Sequence, residues 1–319
     1  MILTVTLNTA IDKTLAVPNF RLGRRHRTVE QTTFPGGKGV NVARVLKTLG
    51  APVIATGLAG GATGTRLVEQ LTQVSVLSDF VRIREESRTN TAVIDPTTGE
   101  QTEINERGPS VSEQEVELFV DKLLYLARGA DVVVFAGSLP RGVEPSIYAN
   151  LVKDLRKVGV QTVVDADGEP MRLAVRAEPD VISPNVIEAE ELVGHEFNEE
   201  EDRVIAVREM VNLGAREAIM TLPDGCVASI LVDGAPVLHR VWIEPREAVA
   251  AVGAGDAFLA GFVAARYLGT PPAECLRFAV ACGAESTQRL GAGLIDPREV
   301  DRLLGEIEIE RLDQPAGVG

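Results

Sequence analysis

Two glycine-rich turns, each opening an apolar helical pattern, carry the chemistry that can be read first. One is Val252-Gly253-Ala254-Gly255-Asp256-Ala257-Phe258. Glycines at a helix start leave successive backbone N–H groups exposed, and these groups, with the helix dipole behind them, form an anion site. Asp256, in the first turn, then stands beside the bound anion. Phosphoryl transfer needs that pairing: a base for the proton of the acceptor hydroxyl, and amides for the charge on the transferred group. Taken alone, the run is also compatible with a plain glycine turn and an ordinary helix-start Asp.

The other turn is Pro35-Gly36-Gly37-Lys38-Gly39-Val40-Asn41. It lacks the GxxxxGK[ST] spacing, which argues against a P-loop nucleotide site. Its glycines allow close backbone approach to a polar ligand around Lys38, and Asn41 offers an amide to a ligand hydroxyl. A third element is Asp12, just past the first strand pattern in Asn8-Thr9-Ala10-Ile11-Asp12. Ligands of open α/β sheets bind beyond the carboxyl ends of strands, where such a carboxylate can accept from two sugar hydroxyls. A turn-forming Asp is the alternative.

Positioning groups so far apart in sequence requires a sheet. Short β-branched runs predict strands over 3–7, 53–57, 132–136, 162–165, 181–183, 218–221 and 227–232. Helical patterns lie between them over 39–49, 66–71, 113–127, 145–158, 186–193 and 200–213, and 252–304 reads as mostly helical. Apolar strands alternating with amphipathic helices predict a parallel sheet covered on both faces. Segments 24–33 and 89–106 break this rhythm as short extended pieces. With Asp95-Pro96-Thr97-Thr98-Gly99 as its turn, 91–94 pairs with 101–105 in a hairpin, either a lid or dimer surface or a plain edge decoration. The tail after Arg311 is expected to fray.

Composition narrows the partners. In 319 residues, 32 basic and 46 acidic side chains leave a formal charge of −14 and a pI near 4.8, against nucleic-acid or anionic-membrane binding. A positive field for an anionic substrate must then be built locally. Three cysteines without metal spacing, and three scattered histidines, point to a reducing compartment and no zinc array. The apolar stretch 248–268 is broken by Asp256, Arg266 and glycines, so no membrane span is expected. The chain opens on an alternating strand pattern rather than a basic leader, and a cytoplasmic location is expected.

The segments PGGKGVNVARVL and AVGAGDAFLAGF resemble the two signatures of the ribokinase/PfkB family of sugar kinases. Supporting pieces run through nearly the whole chain: Asn8–Asp12, Ala59-Gly60-Gly61-Ala62-Thr63-Gly64, Ser87-Arg88-Thr89-Asn90, Gly137-Ser138-Leu139-Pro140 and Asn185-Val186-Ile187-Glu188. The pattern is most similar to the hexose-phosphate branch, that of tagatose-6-phosphate kinase and 1-phosphofructokinase. The resemblance implies one ribokinase-like α/β/α sandwich over 1–319, with a mostly parallel central sheet and a small β lid formed by about 12–34 and 88–107. It implies ATP and Mg2+ as cofactors, a small sugar phosphate as substrate and a homodimer through the lid.

By the same resemblance, Asp256 is the general base, and Gly253, Ala254 and Gly255 form the anion hole. Asp12, Gly36, Gly37, Lys38 and Asn41 hold the sugar, and Ser138 either touches the substrate or caps the following turn. Arg88 takes its phosphate, with Arg107 a second candidate; a guanidinium suits bidentate phosphate contact, while solvated surface arginines are the alternative. Asn185, Thr221, Gly225, Gly253 and Gly255 face the nucleotide, and Asn185 with Glu188, spaced i and i+3 on one helix face, organises magnesium. The cluster Arg21, Arg24, Arg25, His26, Arg27 is either a solvated face or a positive rim toward a neighbouring subunit.

Three positions depart from the family pattern. Thr9 stands where Pro is usual, and Ser183 stands where a Lys usually precedes Pro-Asn near the transferred phosphate. Thr221-Leu222-Pro223-Asp224-Gly225 replaces a more glycine-rich loop on the nucleotide side, where Pro223 removes an N–H. Rival readings are a kinase of an unphosphorylated sugar or nucleoside, and a sugar-phosphate sensor without turnover.

Overall fold

The run Ile2–Thr6 has no polar face: all five residues are buried, with Ile2 in one apolar cluster and Leu3 and Val5 in another. A strand buried on both sides belongs inside a parallel sheet. The computed structural model describes residues 1–312 except 247, 250, 251 and 290, so the tail expected to fray lies, from 313 on, outside the described residues. The described strands are β1 (Ile2–Thr6), β2 (Ala10–Ala16), β3 (Glu30–Gly36), β4 (Val53–Gly60), β5 (Leu77–Ile83), β6 (Arg88–Ile94) and β7 (Gln101–Asn105). They continue with β8 (Val132–Ala136), β9 (Gln161–Asp165), β10 (Val181–Ile182), β11 (Glu217–Leu222), β12 (Gly225–Val232), β13 (Ala235–Trp242) and β14 (Glu308–Arg311).

Ten of these form one sheet in the order β14-β13-β12-β11-β10-β9-β8-β1-β4-β5. From β5 to β11 every pairing is parallel, while β11 to β14 pair antiparallel. Strand residues alternate between two apolar layers, Val132, Val134 and Ala136 against Val133 and Phe135, for example. One layer is completed by helices Lys38–Thr48, Gly61–Gln73, Ala254–Tyr267, Pro272–Ser286 and Pro297–Leu303. The other is completed by Glu113–Ala127, Ile147–Lys157, Gly168–Val175, Val186–Val193 and Glu200–Leu213. This is the expected ribokinase-like α/β/α sandwich.

A second sheet has the order β3-β2-β6-β7. The expected hairpin is there, with Ile94 opposite Gln101 and Asn90 opposite Asn105. The expectation of an extended segment over 24–33 fails in its first half, since β3 begins only at Glu30. Residues 24–29 are mostly charged and exposed, with no apolar face to lay on a core. Asp95 anchors the start of that loop by accepting from the backbone N–H groups of Asn19 and Phe20 at 2.9 and 2.8 Å. Among the described residues, no helix is long and apolar enough to cross a membrane.

Candidate active site

The first turn of the Ala254–Tyr267 helix is built for an anion. Gly253, its N-cap, has φ +82°, and a Cβ there would stand 2.5 Å from the Ala292 Cβ, so glycine alone fits. Gly255 differs: a Cβ on it would meet nothing within 4 Å, which leaves open space over the N–H groups of the turn. Asp256 is only 6% exposed. Burial, and the nearby Asp165 carboxylate, push its pKa from 3.8 up to about 7, against the pull of Lys38 and Asn41. A carboxylate so tuned is suited to accept a proton near neutrality.

The Lys38–Thr48 helix approaches from the other side of the same space. Gly37 caps it at φ +97°, and a Cβ on Gly39 would collide with the Val5 carbonyl at 2.6 Å, so this helix lies directly on β1. The close packing delivers two side chains. Asn41 Nδ2 donates to Asp256 Oδ2 at 2.8 Å. Lys38 Nζ donates to Asp165 Oδ1 at 2.8 Å and Glu188 Oε1 at 3.3 Å. Burial opposes the ammonium charge, but Asp165, Glu188 and Asp256 together outweigh it and hold the Lys38 pKa above its usual value.

Asp12 lies past the end of β1 and in the second sheet, where the lid was expected to begin, and pairs with Phe34 and Asn90 across β2. Asn90 Nδ2 donates to Asp12 Oδ1 at 2.9 Å. Burial raises the Asp12 pKa, partly offset by Asn90, Arg88 and Arg44. A Cβ on Gly36 would lie 2.1 Å from Asp12 Oδ2, so Gly36 acts by leaving room for that carboxylate. Arg88 opens β6, two residues from Asn90 on the same face. Its Nη1 donates to the Glu106 carbonyl at 3.1 Å, while its buried Nε has no hydrogen-bond partner.

A cavity of about 450 Å³ gathers Asp12, Gly37, Lys38, Asn41, Arg88, Asn185, Glu188, Thr221, Gly253, Gly255 and Asp256 in its lining. Not every expected residue belongs to it. Ser138 and Arg107 lie together outside the lining, where Asn8 Nδ2 donates to Ser138 Oγ and to the Arg107 carbonyl, each at 3.2 Å. The Arg107 side chain is exposed. Asn185 and Glu188 lie at i and i+3 at the start of one helix, Asn185 as its N-cap, and the two form a reciprocal capping box at 2.9 and 3.0 Å.

Asn90, Asp165 and Phe34 also line the cavity and were missed. For two of them a signal existed: Asn90 shares the strand period with Arg88, and Asp165 ends a predicted strand, the location that drew attention to Asp12. A second cavity, about 510 Å³, is lined by Thr221, Pro223, Gly225, Ile243, Pro245, Ala254, Gly255, Phe258 and Ala284, among others. The two cavities share Thr221 and Gly255. They meet at the helix turn that carries Asp256.

Residues 4–298 match the family model described as pfkB family carbohydrate kinase. The chain belongs to the pfkB family of carbohydrate kinases. As such it is a phosphotransferase acting on a hydroxyl group. It is 31% identical over 310 residues to the 1-phosphofructokinase of Borreliella burgdorferi, covering 97% of this chain and 98% of that one. It is also 31% identical over 316 residues to the tagatose-6-phosphate kinase of Staphylococcus epidermidis, covering 97% and 99%. Phosphofructokinase-2 from Escherichia coli, solved in complex with fructose-6-phosphate, superposes with a TM-score of 0.86 at 28% identity over 95% of this chain and 98% of that one.

Proposed function

We propose that this kinase transfers the γ-phosphoryl group of ATP to a hydroxyl of a ketohexose phosphate, yielding the bisphosphate. The candidates are tagatose 6-phosphate, fructose 6-phosphate and fructose 1-phosphate. The observation that carries the reading is the meeting of two cavities at Thr221 and Gly255, beside Asp256. The polar one takes the sugar phosphate and the more apolar one the nucleotide. Asp12, Asn90 and Asn41 orient sugar hydroxyls, and Arg88 takes the existing phosphate. Gly36 and Gly37 leave the room this needs.

Asp256 accepts the proton of the attacking hydroxyl as the new O–P bond forms and the bond to ADP breaks. The Ala254 and Gly255 amides stabilise charge on the moving phosphoryl group. Lys38 supplies the ammonium on the side where Ser183 replaces the usual lysine. Ser138 and Arg107 act from the rim, Arg107 on reorientation of its exposed side chain.

The cavity lining holds Asp12, Glu103, Asp165, Glu188 and Asp256 against Lys13, Lys38 and Arg88, an acidic balance for a site that receives phosphates. Magnesium would be held by Glu188 and Asn185 together with the nucleotide phosphates rather than by an all-protein cage. The ion would neutralise charge on the transferred group. Thr221 and Gly225 border the nucleotide.

The second sheet serves as a lid within a single kinase domain spanning 1–319, and its outer strands are the surface for a homodimer. A cytoplasmic setting accords with these substrates.

The test is ADP release with magnesium-ATP against the three phosphates and free fructose, tagatose and ribose. Turnover confined to the phosphates is expected. A preference for a free sugar would return Arg88 to the solvated surface, and binding without turnover would identify a sensor.

A further inference from the structure

The apolar cavity has one wall of unusual construction. β11 and β12 join through two residues, Pro223 and Asp224, with Leu222 opposite Gly225. β12 and β13 also join through two residues, Asp233 and Gly234, with Val232 opposite Ala235. In that second turn both φ values are positive, 52° and 82°, the conformation whose twist matches the flanking strands. Pro223 cannot adopt it, because its ring holds φ near −65°, and Asp224 is not among the residues with positive φ. A two-residue link of this hand splays its strands unless something else holds them together.

Arg240 of β13 is placed to do so. Its side chain is 10% exposed, although it is a full cation on a sheet. Nη2 donates to Asp224 Oδ2 at 2.5 Å, Nη1 to the Val241 carbonyl at 2.7 Å and the Cys226 carbonyl at 3.4 Å, and Nε to Glu200 Oε1 at 3.3 Å. The guanidinium carbon lies 5.8 Å from the Trp242 ring centroid. The Ile243 N–H donates to the Asp224 carbonyl at 2.9 Å, and Gly225 passes so near Val241 that a Cβ would stand 2.0 Å from its carbonyl oxygen. Burying a guanidinium is costly, and here all its bonds but the one to Glu200 converge on the turn and the strands beside it.

We propose that Arg240 is a positioning residue for the phosphoryl donor, clamping the Pro223–Asp224 turn through the Asp224 carboxylate so that it shapes the nucleotide cavity. The proposal rests on the reading of that cavity as the donor site. Arg240→Met and Asp224→Asn should each raise the KM for ATP about tenfold, the scale for losing a charged hydrogen bond, while the KM for the sugar phosphate moves less than twofold. Arg240→Lys should recover part of the loss. Trp242 is the sole tryptophan, so titrating its fluorescence with ADP reads the same weakening without turnover. An unchanged ATP KM, or a fall in kcat with both KM values unmoved, would overturn the proposal. Ala284→Leu, on the opposite wall, separates it from the underlying reading. If that variant raises the ATP KM and the Arg240 and Asp224 variants do not, only the clamp fails; if none raises it, the donor site lies elsewhere and both fail.

Discussion

Asn41 and Asp256, 215 residues apart, share a buried 2.8 Å hydrogen bond in which the amide donates to the carboxylate. The bond favours the charged form of Asp256 while burial and Asp165 disfavour it, leaving the pKa at about 7. If Asp256 is the base, kcat/KM for the sugar phosphate should rise with pH and level off above an inflection near 7. Asn41→Ala removes a contribution that lowers the pKa, so the inflection should move to higher pH. A profile recorded from pH 5.5 to 9 on both proteins, flat or unshifted, would contradict the assignment.

Asp256→Asn should retain binding of both substrates and lose roughly 10²–10⁴-fold in kcat, the scale of a general base. Its stability should change in the opposite sense. The folded pKa is raised from 3.8 to about 7, so within that window the folded protein holds a proton that the unfolded chain releases. Stability therefore falls as pH climbs through the window and stays low above it. The Asn variant escapes this loss. Thermal melts should place its Tm above the parent at pH 8, with the gap shrinking at pH 5.

Gly255→Ala tests the open space above the helix turn. Alanine suits a helix better than glycine by about 0.8–1.0 kcal/mol, and the added methyl meets no atom within 4 Å. The variant should be as stable as the parent or slightly more so. Turnover should nonetheless fall by about 10²-fold or more, because the methyl occupies the space of the transferred group. Urea unfolding and initial rates measured side by side check both halves.

Arg88→Ala should raise the KM for the sugar phosphate by about tenfold or more, a charge-assisted phosphate contact being lost, with a smaller effect on kcat. Steady-state kinetics at saturating magnesium-ATP give the split directly. An unchanged KM would assign the phosphate to another cation, with Lys13 next in the same lining.

Much of this arrangement was legible in the residues. Strand β8 is apolar throughout, and β1 adds only threonines to Ile2, Leu3 and Val5, a β-branched run suited to a strand covered on both faces. The glycine turns announced their helices, but the close approaches that require Gly36, Gly39 and Gly253 were not legible, because their neighbours come from other elements. β5 and β13 were missed for a physical reason. β5 exposes Leu77 at the sheet edge, and β13 mixes Pro236, His239 and Arg240 into its run, because an antiparallel neighbour and an ion pair tolerate polar groups there. The hidden part of the site has the same origin. Asp165 ends a predicted strand, but its pairing with Lys38 spans 127 residues and no local pattern reports a contact at that distance.

The chemistry-bearing residues are also ordered along the chain in a way that governs synthesis. Asp12, Lys38, Asn41 and Arg88 leave the ribosome early, whereas Gly255 and Asp256 emerge only after the strands from β8 to β13. Until then the proposed sugar pocket lacks Asp256, and the proposed nucleotide cavity lacks Ala254, Gly255, Phe258 and Ala284. A chain ending before Ala254 would lack Gly255, Asp256 and the helices that complete one apolar layer of the sheet, so the last fifth of the sequence closes the core and the proposed site together.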